Sequence, residues 1–250
     1  MKAMILAAGL GTRLRPLTDD RPKALVTIAG HTLLEIVLRR LRVVGVSDVI
    51  VNAHHHAEMI VEYLATHHNF GMRIEVSREE ELLDTGGGLK KAEDFFLDSS
   101  GSAEEPFLVH NVDVISTIDL ARMVEFHTEH KALATLAVQE RDTSRYLLFD
   151  RSAQLCGRRA GQSGEAEFVR ATEQVQALAF SGIHVVSPRI FALMEEQGAF
   201  SIIDAYLRLA AGGEKIIAFR SDESYWRDLG RPESMAQAER DLAEGKFSIA

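Results

Sequence analysis

The chain has 250 residues, 46% hydrophobic and 26% charged, a balance that suits a folded globular protein of one large or two small domains. Acids outnumber bases, 37 Asp and Glu against 28 Lys and Arg, and the net charge of -9 argues against a nucleic-acid partner, because no basic surplus exists to release counterions. A single cysteine, Cys156, excludes an intrachain disulfide framework and fits a reducing compartment.

Lys2 to Ala7 is a short apolar run and reads as the first strand. It is too short for a secretory signal, and it ends in a glycine-containing turn followed by Arg13 and Arg15. No stretch approaches the length of a membrane span, so a cytoplasmic protein without a membrane partner is expected. Leu33, Leu34, Ile36, Val37, Leu38 and Leu41 recur at helical spacing, and Gly45 is the expected cap. Val49 to Ala53 is β-branched and strand-like; Ala57 to His67 is amphipathic; Met72 to Val76 is a third strand. A helix over Gly86 to Phe96, a strand over Phe107 to His110 and a helix over Leu120 to His130 follow. Strands alternating with helices predict an α/β fold of three layers, Rossmann-like, with helices on both faces of a mixed, mostly parallel sheet. Ligands in such sheets sit beyond the carboxyl ends of the strands.

After Ala132 to Val138 the texture changes. Tyr146 to Phe149 and Gln154 to Cys156 read as strands joined by an Asp150-Arg151-Ser152 turn. Arg158 to Glu167 is polar and glycine-containing and reads as a mobile loop. Leu178 to Val186 is a strand, Pro188 opens a helix, and Ile202 to Ala211 is a helix stopped by Gly212-Gly213. Ile216 to Phe219 and Tyr225 to Asp228 are strands, and Pro232 opens a last helix to about Leu242.

The turn after the first strand carries chemistry. Small residues let a backbone pass close to a large anion and aim N–H donors at it, while Arg13 and Lys23 add fixed positive charge. The glycine spacing is neither that of a Walker A loop nor that of the dinucleotide fingerprint, and taken alone it reads equally well as a tight turn. Asp113 and Asp228 each sit at a predicted strand end, where an isolated Asp is more often a cap than a ligand. Three consecutive histidines, His54 to His56, cannot all face one point, and they read as a strand end and helix start rather than a zinc site.

The string Leu6-Ala7-Ala8-Gly9-Leu10-Gly11-Thr12-Arg13, with Pro16-Leu17-Thr18 and Arg21-Pro22-Lys23-Ala24-Leu25, closely resembles the opening of the sugar-1-phosphate nucleotidylyltransferases. Leu83-Asp84-Thr85-Gly86-Gly87-Gly88, Asn111-Val112-Asp113, Phe180-Ser181-Gly182 and Trp226-Arg227-Asp228-Leu229-Gly230 fall in that family's order and extend the resemblance over nearly the full chain. Within that family it resembles the N-acetylmuramate-1-phosphate uridylyltransferases and the small bacterial mannose-1-phosphate guanylyltransferases.

The resemblance implies a GT-A-like fold in one domain, residues 1–138 mainly for the nucleotide and 139–250 mainly for the sugar phosphate. It implies transfer from an NTP to a sugar 1-phosphate, with no appended β-helix after the last helix. Leu6, Ala7, Ala8, Gly9, Gly11, Thr12, Arg13, Glu81, Thr85 and Gly86 would bind nucleotide, with Glu81 and the Gly86 backbone on the base. Lys23, Asn111, Ser181 and Gly182 would bind sugar phosphate. Asp113 and Asp228 would hold Mg2+, and Arg13 and Lys23 would neutralise the phosphates. A carboxylate at Glu81 suits the paired donors of guanine, yet uridylyltransferases carry Glu there too, so U and G both stand. The chain departs from the family at Val112, where glycine is usual, and it lacks the Glu-Lys-Pro motif; Arg158 or Arg159 is the candidate for the missing charge. A catalytically silent nucleotide-sugar-binding regulatory subunit, and a cytidylyltransferase acting on a non-sugar phosphate such as phosphocholine, are the alternatives.

Overall fold

The computed structural model describes residues 1–97 and 105–249. The strands are β1 (Lys2–Leu6), β2 (Thr27–Ile28), β3 (His31–Thr32), β4 (Asp48–Ala53), β5 (Arg73–Arg78), β6 (Phe107–Asn111), β7 (Val114–Ser116), β8 (Ala134–Gln139), β9 (Arg145–Phe149), β10 (Leu155–Ala160), β11 (Ala166–Phe168), β12 (Gln176–Val186), β13 (Ile216–Arg220) and β14 (Trp226–Asp228). The α-helices are α1 (Leu33–Val43), α2 (Ala57–Thr66), α3 (Asp84–Lys91), α4 (Glu93–Leu97), α5 (Leu120–His130), α6 (Ile190–Leu193), α7 (Ile202–Ala211) and α8 (Pro232–Ala243).

A ten-stranded sheet runs β11-β10-β9-β12-β6-β1-β4-β5, with β8 on the other side of β12 and β13 beyond it. β1, β4, β5, β6, β8, β9, β11 and β13 point one way, and β12 and β10 are reversed. Two short pairs, β7 with β14 and β2 with β3, lie outside it. Each sheet face is covered. Ala3 and Ile5 of β1 join a core with α1, α2, α5 and α8, while Met4 between them joins one with α3, α4 and α7. Burial on both faces is why the strands read as unbroken apolar runs.

α1 begins where the Thr32 hydroxyl accepts the Glu35 N–H at 3.1 Å, and Gly45 leaves it at φ 81°. The helix expected from Gly86 begins two residues earlier and breaks at Ala92 into α3 and α4. Pro188 precedes only the single turn of α6.

One expectation is corrected. The segment from Arg158 to Glu167 is not a loop: Arg158 pairs with Glu167 and Arg159 with Ala166 in the β10–β11 hairpin. Its strands form the outer edge of the sheet and carry polar side chains, so no apolar alternation marks them. Within β12, which spans the expected strand, the Phe180-Ser181-Gly182 motif interrupts pairing with β8, whose register shifts between Phe180 and His184. Gly182 takes φ 73° there, and a Cβ on it would stand 2.8 Å from Asn111 Nδ2.

Candidate functional site

The turn leaving β1 is anchored from below. Ala7 N donates to Asn52 Oδ1 at 2.7 Å, and Asn52 Nδ2 donates to Glu79 Oε1 at 2.7 Å. Glu79 Oε2 in turn accepts the Leu83 N–H at 3.1 Å. Asn52 and Glu79 are both buried, so this chain ties the ends of β1, β4 and β5 to the start of α3. The glycines of α3 serve that packing. A Cβ on Gly88 would meet Asn52 Nδ2 at 2.7 Å and Glu79 Oε1 at 2.8 Å, and one on Gly86 would meet the Phe200 ring at 2.3 Å.

Two clefts open over the carboxyl ends of the strands. The smaller, about 590 Å³, is floored by Leu6, Ala7, Ala8, Gly9, Gly11 and Thr12 and closed by Lys23, Thr85 and Asp113. The larger, about 1040 Å³, lies over β9, β10 and β14, with Gly182 and Asp228 on its wall. Arg13 and Asn111 line both.

β7 and β14 bring the two aspartates together. Asp228 pairs with Val114, and Leu229 N donates to Asp113 O at 2.8 Å. Lys23, buried, donates its ammonium to Asp113 Oδ2. Asp228 Oδ1 accepts the Gly230 N–H at 2.7 Å. A Cβ on Gly230 would lie 2.7 Å from both Arg13 Nη2 and Asp228 Oδ1, so glycine leaves room for the guanidinium beside the carboxylate. Three of the four charged residues singled out in the sequence thus face the smaller cleft, and Asp228 faces the larger one across Arg13. Facing amides, an Arg and a Lys suit bound phosphate, and two carboxylates from adjoining strands suit a hard cation.

The remaining sequence candidates are either outside the clefts or already engaged by other groups of the chain. Glu81 is exposed and lines neither cleft, whereas Glu79, two residues earlier, is the acid drawn inside. Gly86 is buried, and its N–H is committed to Phe200 O at 2.9 Å. Thr85 lines the smaller cleft, yet its hydroxyl accepts the Ile202 N–H at 3.0 Å at the start of α7. Ser181 is fully buried, and its carbonyl accepts Trp226 Nε1 at 2.8 Å. Arg158 is held by Glu167 and Asp204, and Arg159 donates to Gly161 O at 3.1 Å.

Among the described residues no three His, Cys, Asp or Glu converge on a metal position. His54 Nδ1 donates to Glu79 O at 2.8 Å and His56 stands at φ 57° before α2, so the histidine run does mark a strand end and helix start. Cys156 is buried with its thiol on Leu148 O, and burial pushes it up to about 11, which leaves it unreactive. Sequence reading missed Asn52, the one polar side chain in the apolar run of β4, and Glu79, which nothing in the Glu79-Glu80-Glu81 run distinguishes.

Residues 2–245 match the nucleotidyl transferase family. The chain is 34% identical to the N-acetylmuramate alpha-1-phosphate uridylyltransferase of Caulobacter vibrioides, over 97% of both chains. It is 32% identical to a mannose-1-phosphate guanyltransferase of Yarrowia lipolytica over 93% of its own length, and spans 61% of that relative. Among solved structures, UDP-glucose pyrophosphorylase from Acinetobacter baumanii superposes with a TM-score of 0.78 at 20% identity, covering 98% of this chain and 94% of that one. HddC from Yersinia pseudotuberculosis, complexed with GMP-PN, superposes with a TM-score of 0.75 at 24% identity, covering 96% and 98%. These two structures speak to the fold alone.

Proposed function

Since this chain belongs to the nucleotidyl transferase family, we propose that it transfers a nucleotidyl group from an NTP to a sugar 1-phosphate, giving an NDP-sugar and pyrophosphate. The observation that carries this reading is the pair of clefts that share Arg13 and Asn111, with Asp113, just before β7, lining one and Asp228, at the end of the β14 strand paired with β7, lining the other. Donor and acceptor each have a compartment, and the charged groups stand where the two meet. The names of its relatives make UTP and GTP the donors to test first.

An oxygen of the acceptor phosphate attacks the donor's α-phosphorus, and the bond to pyrophosphate breaks; no side-chain nucleophile is needed. Both reactants are anions, so the work of the protein is positioning and charge neutralisation. In this reading the amides from Ala8 to Thr12 cradle the triphosphate, Arg13 meets charge developing on the transferred group, and Lys23 and Asn111 orient the phosphates. Residues 1–138 then supply most of the nucleotide side and 139–250 most of the acceptor side.

The donor set fits magnesium: hard carboxylate oxygens, two protein residues, and room for phosphate oxygens and water to complete the shell. Asp113 and Asp228 would hold it, and the ion would supply Lewis-acid neutralisation of the phosphates. Asp113 keeps Oδ1 clear of Lys23, which engages Oδ2. No helix among the described residues is long and apolar enough to cross a membrane, and with its single buried cysteine we assign the protein to the cytoplasm.

The test is a matrix of four NTPs against several sugar 1-phosphates, read by pyrophosphate release with magnesium present. One productive pair is expected. Release with no pair, from folded protein that binds nucleotide, would favour a silent binding subunit.

A further inference from the structure

Arg141 lies in the larger cleft, on the segment between β8 and β9. Its guanidinium carbon sits 3.5 Å from the ring centroid of Trp226, and its Nη2 donates to Phe180 O at 2.7 Å. Both partners fix it: the ring sets its plane, and the carbonyl sets its rotation within that plane. Its Nε is buried and donates to nothing among the described residues. Burial holds its pKa down to about 10 against the opposing pull of Asp228.

The neighbouring arginines of the cleft differ. Arg158 is paired with Glu167 and Asp204, and Arg227 with Asp241. Arg145 and Arg231 are exposed. Arg159, half-buried, donates to Gly161 O and lies 5.3 Å from the Tyr146 ring, a looser seat than that of Arg141, which stands 3.5 Å from its ring and likewise has no carboxylate in ion-pair reach among the described residues. A guanidinium withdrawn from water with no counter-charge is costly, and an anion entering the cleft relieves that cost. It lines the larger cleft and not the smaller one, yet it feels Asp228, which faces the junction. A planar fork of donors matches the oxygens of a phosphate.

We infer that Arg141, held flat on Trp226 and hooked to the Phe180 carbonyl, binds the phosphate of the acceptor and turns an oxygen of it toward the junction of the clefts. It would supply the charge that the absent Glu-Lys-Pro motif leaves open, since Arg158 is engaged by Glu167 and Asp204 and Arg159 by Gly161 O. This rests on the nucleotidyl transfer proposed above.

The test is calorimetric binding of glucose 1-phosphate, mannose 1-phosphate and N-acetylmuramate 1-phosphate, each beside its free sugar, to the wild type, R141A and R141K. We expect R141A to weaken binding of the preferred sugar 1-phosphate by about tenfold or more, with R141K restoring part of it because charge returns without the fork. Affinity for the free sugar and the Michaelis constant for NTP should stay within about twofold of wild type. Equal weakening for sugar and sugar phosphate would make Arg141 a structural residue and overturn the inference. So would weakening confined to free and phosphorylated N-acetylmuramate, which would place the muramate carboxylate on Arg141 instead. Unchanged binding in R141A overturns it outright. If the wild type binds none of the three and releases no pyrophosphate, it is the nucleotidyl transfer reading that falls. R141K, which keeps the cation over Trp226, serves if R141A does not fold.

Discussion

Lys23 and Asp113 neutralise each other across the smaller cleft, the lysine nine-tenths withdrawn from water and the aspartate four-fifths. Removing either partner strands the other's charge in a poorly hydrated place. D113N and K23M are each expected to lower the unfolding midpoint, while the double variant loses less than their sum. The double-mutant cycle should give a coupling of roughly 1–3 kcal/mol. Additive losses would show that the contact does not form in solution.

Asp228 makes no ion pair among the described residues, although the Arg13 guanidinium lies near it; its Oδ1 accepts the Gly230 N–H. D228N is therefore expected to keep its midpoint while turnover falls by roughly a hundredfold or more, a loss of the order seen when one transition-state group is removed. EDTA should abolish turnover of the wild type and magnesium should restore it. Full activity in EDTA would remove the metal from Asp113 and Asp228.

Arg13 touches both clefts, so its charge is placed for the group that passes between them. R13A should lower turnover by about two orders of magnitude with a smaller change in the Michaelis constant for NTP. A raised Michaelis constant with turnover intact would make Arg13 a uniform binder of the donor.

Three histidines are buried in neutral form. His110 and His184 are held at about 3 and His127 at about 4, in each case chiefly by burial, with Arg40, His110 and Arg189 respectively adding repulsion. Their folded values lie below the unfolded value near 6.5, so the unfolded chain binds more protons in between. Stability from these groups is complete above pH 6.5 and is lost as pH falls toward 4, by about 1.4 kcal/mol per pH unit for each histidine. Urea midpoints measured between pH 7.5 and 4.5 should fall accordingly, with a shallower fall in H127Q. A flat profile would mean that the rings are protonated in the fold.

Most of this architecture was legible because its strands are buried on both faces and its helices on one, which leaves long apolar runs and clean helical spacing. α5 and α7 begin and end where their patterns do, at Leu120 and His130 and at Ile202 and Ala211. The β10–β11 hairpin was not legible, since an edge pair held by backbone bonds and an Arg158–Glu167 contact has no apolar rhythm to read. The turn after β1 could be read from its small residues. What supports it from behind could not, because Asn52 and Glu79 meet only once β4 and β5 lie side by side. Arg141 belongs to the same class: its partners, Trp226 and Phe180, are distant in sequence.

β12 has a mechanical consequence. Along one edge it pairs first with β9 and then with β6, and along the other with β8. The larger cleft, walled by Phe180 and Gly182 of β12, and the smaller one, which β6 reaches at Asn111, are thus tied to a single bent beam rather than to two leaves joined by a hinge. They cannot swing apart without tearing backbone bonds on both sides of that beam. Movement that spares those bonds is left to the turn after β1, the stretch carrying Arg141 and the β10–β11 hairpin at the sheet's outer edge.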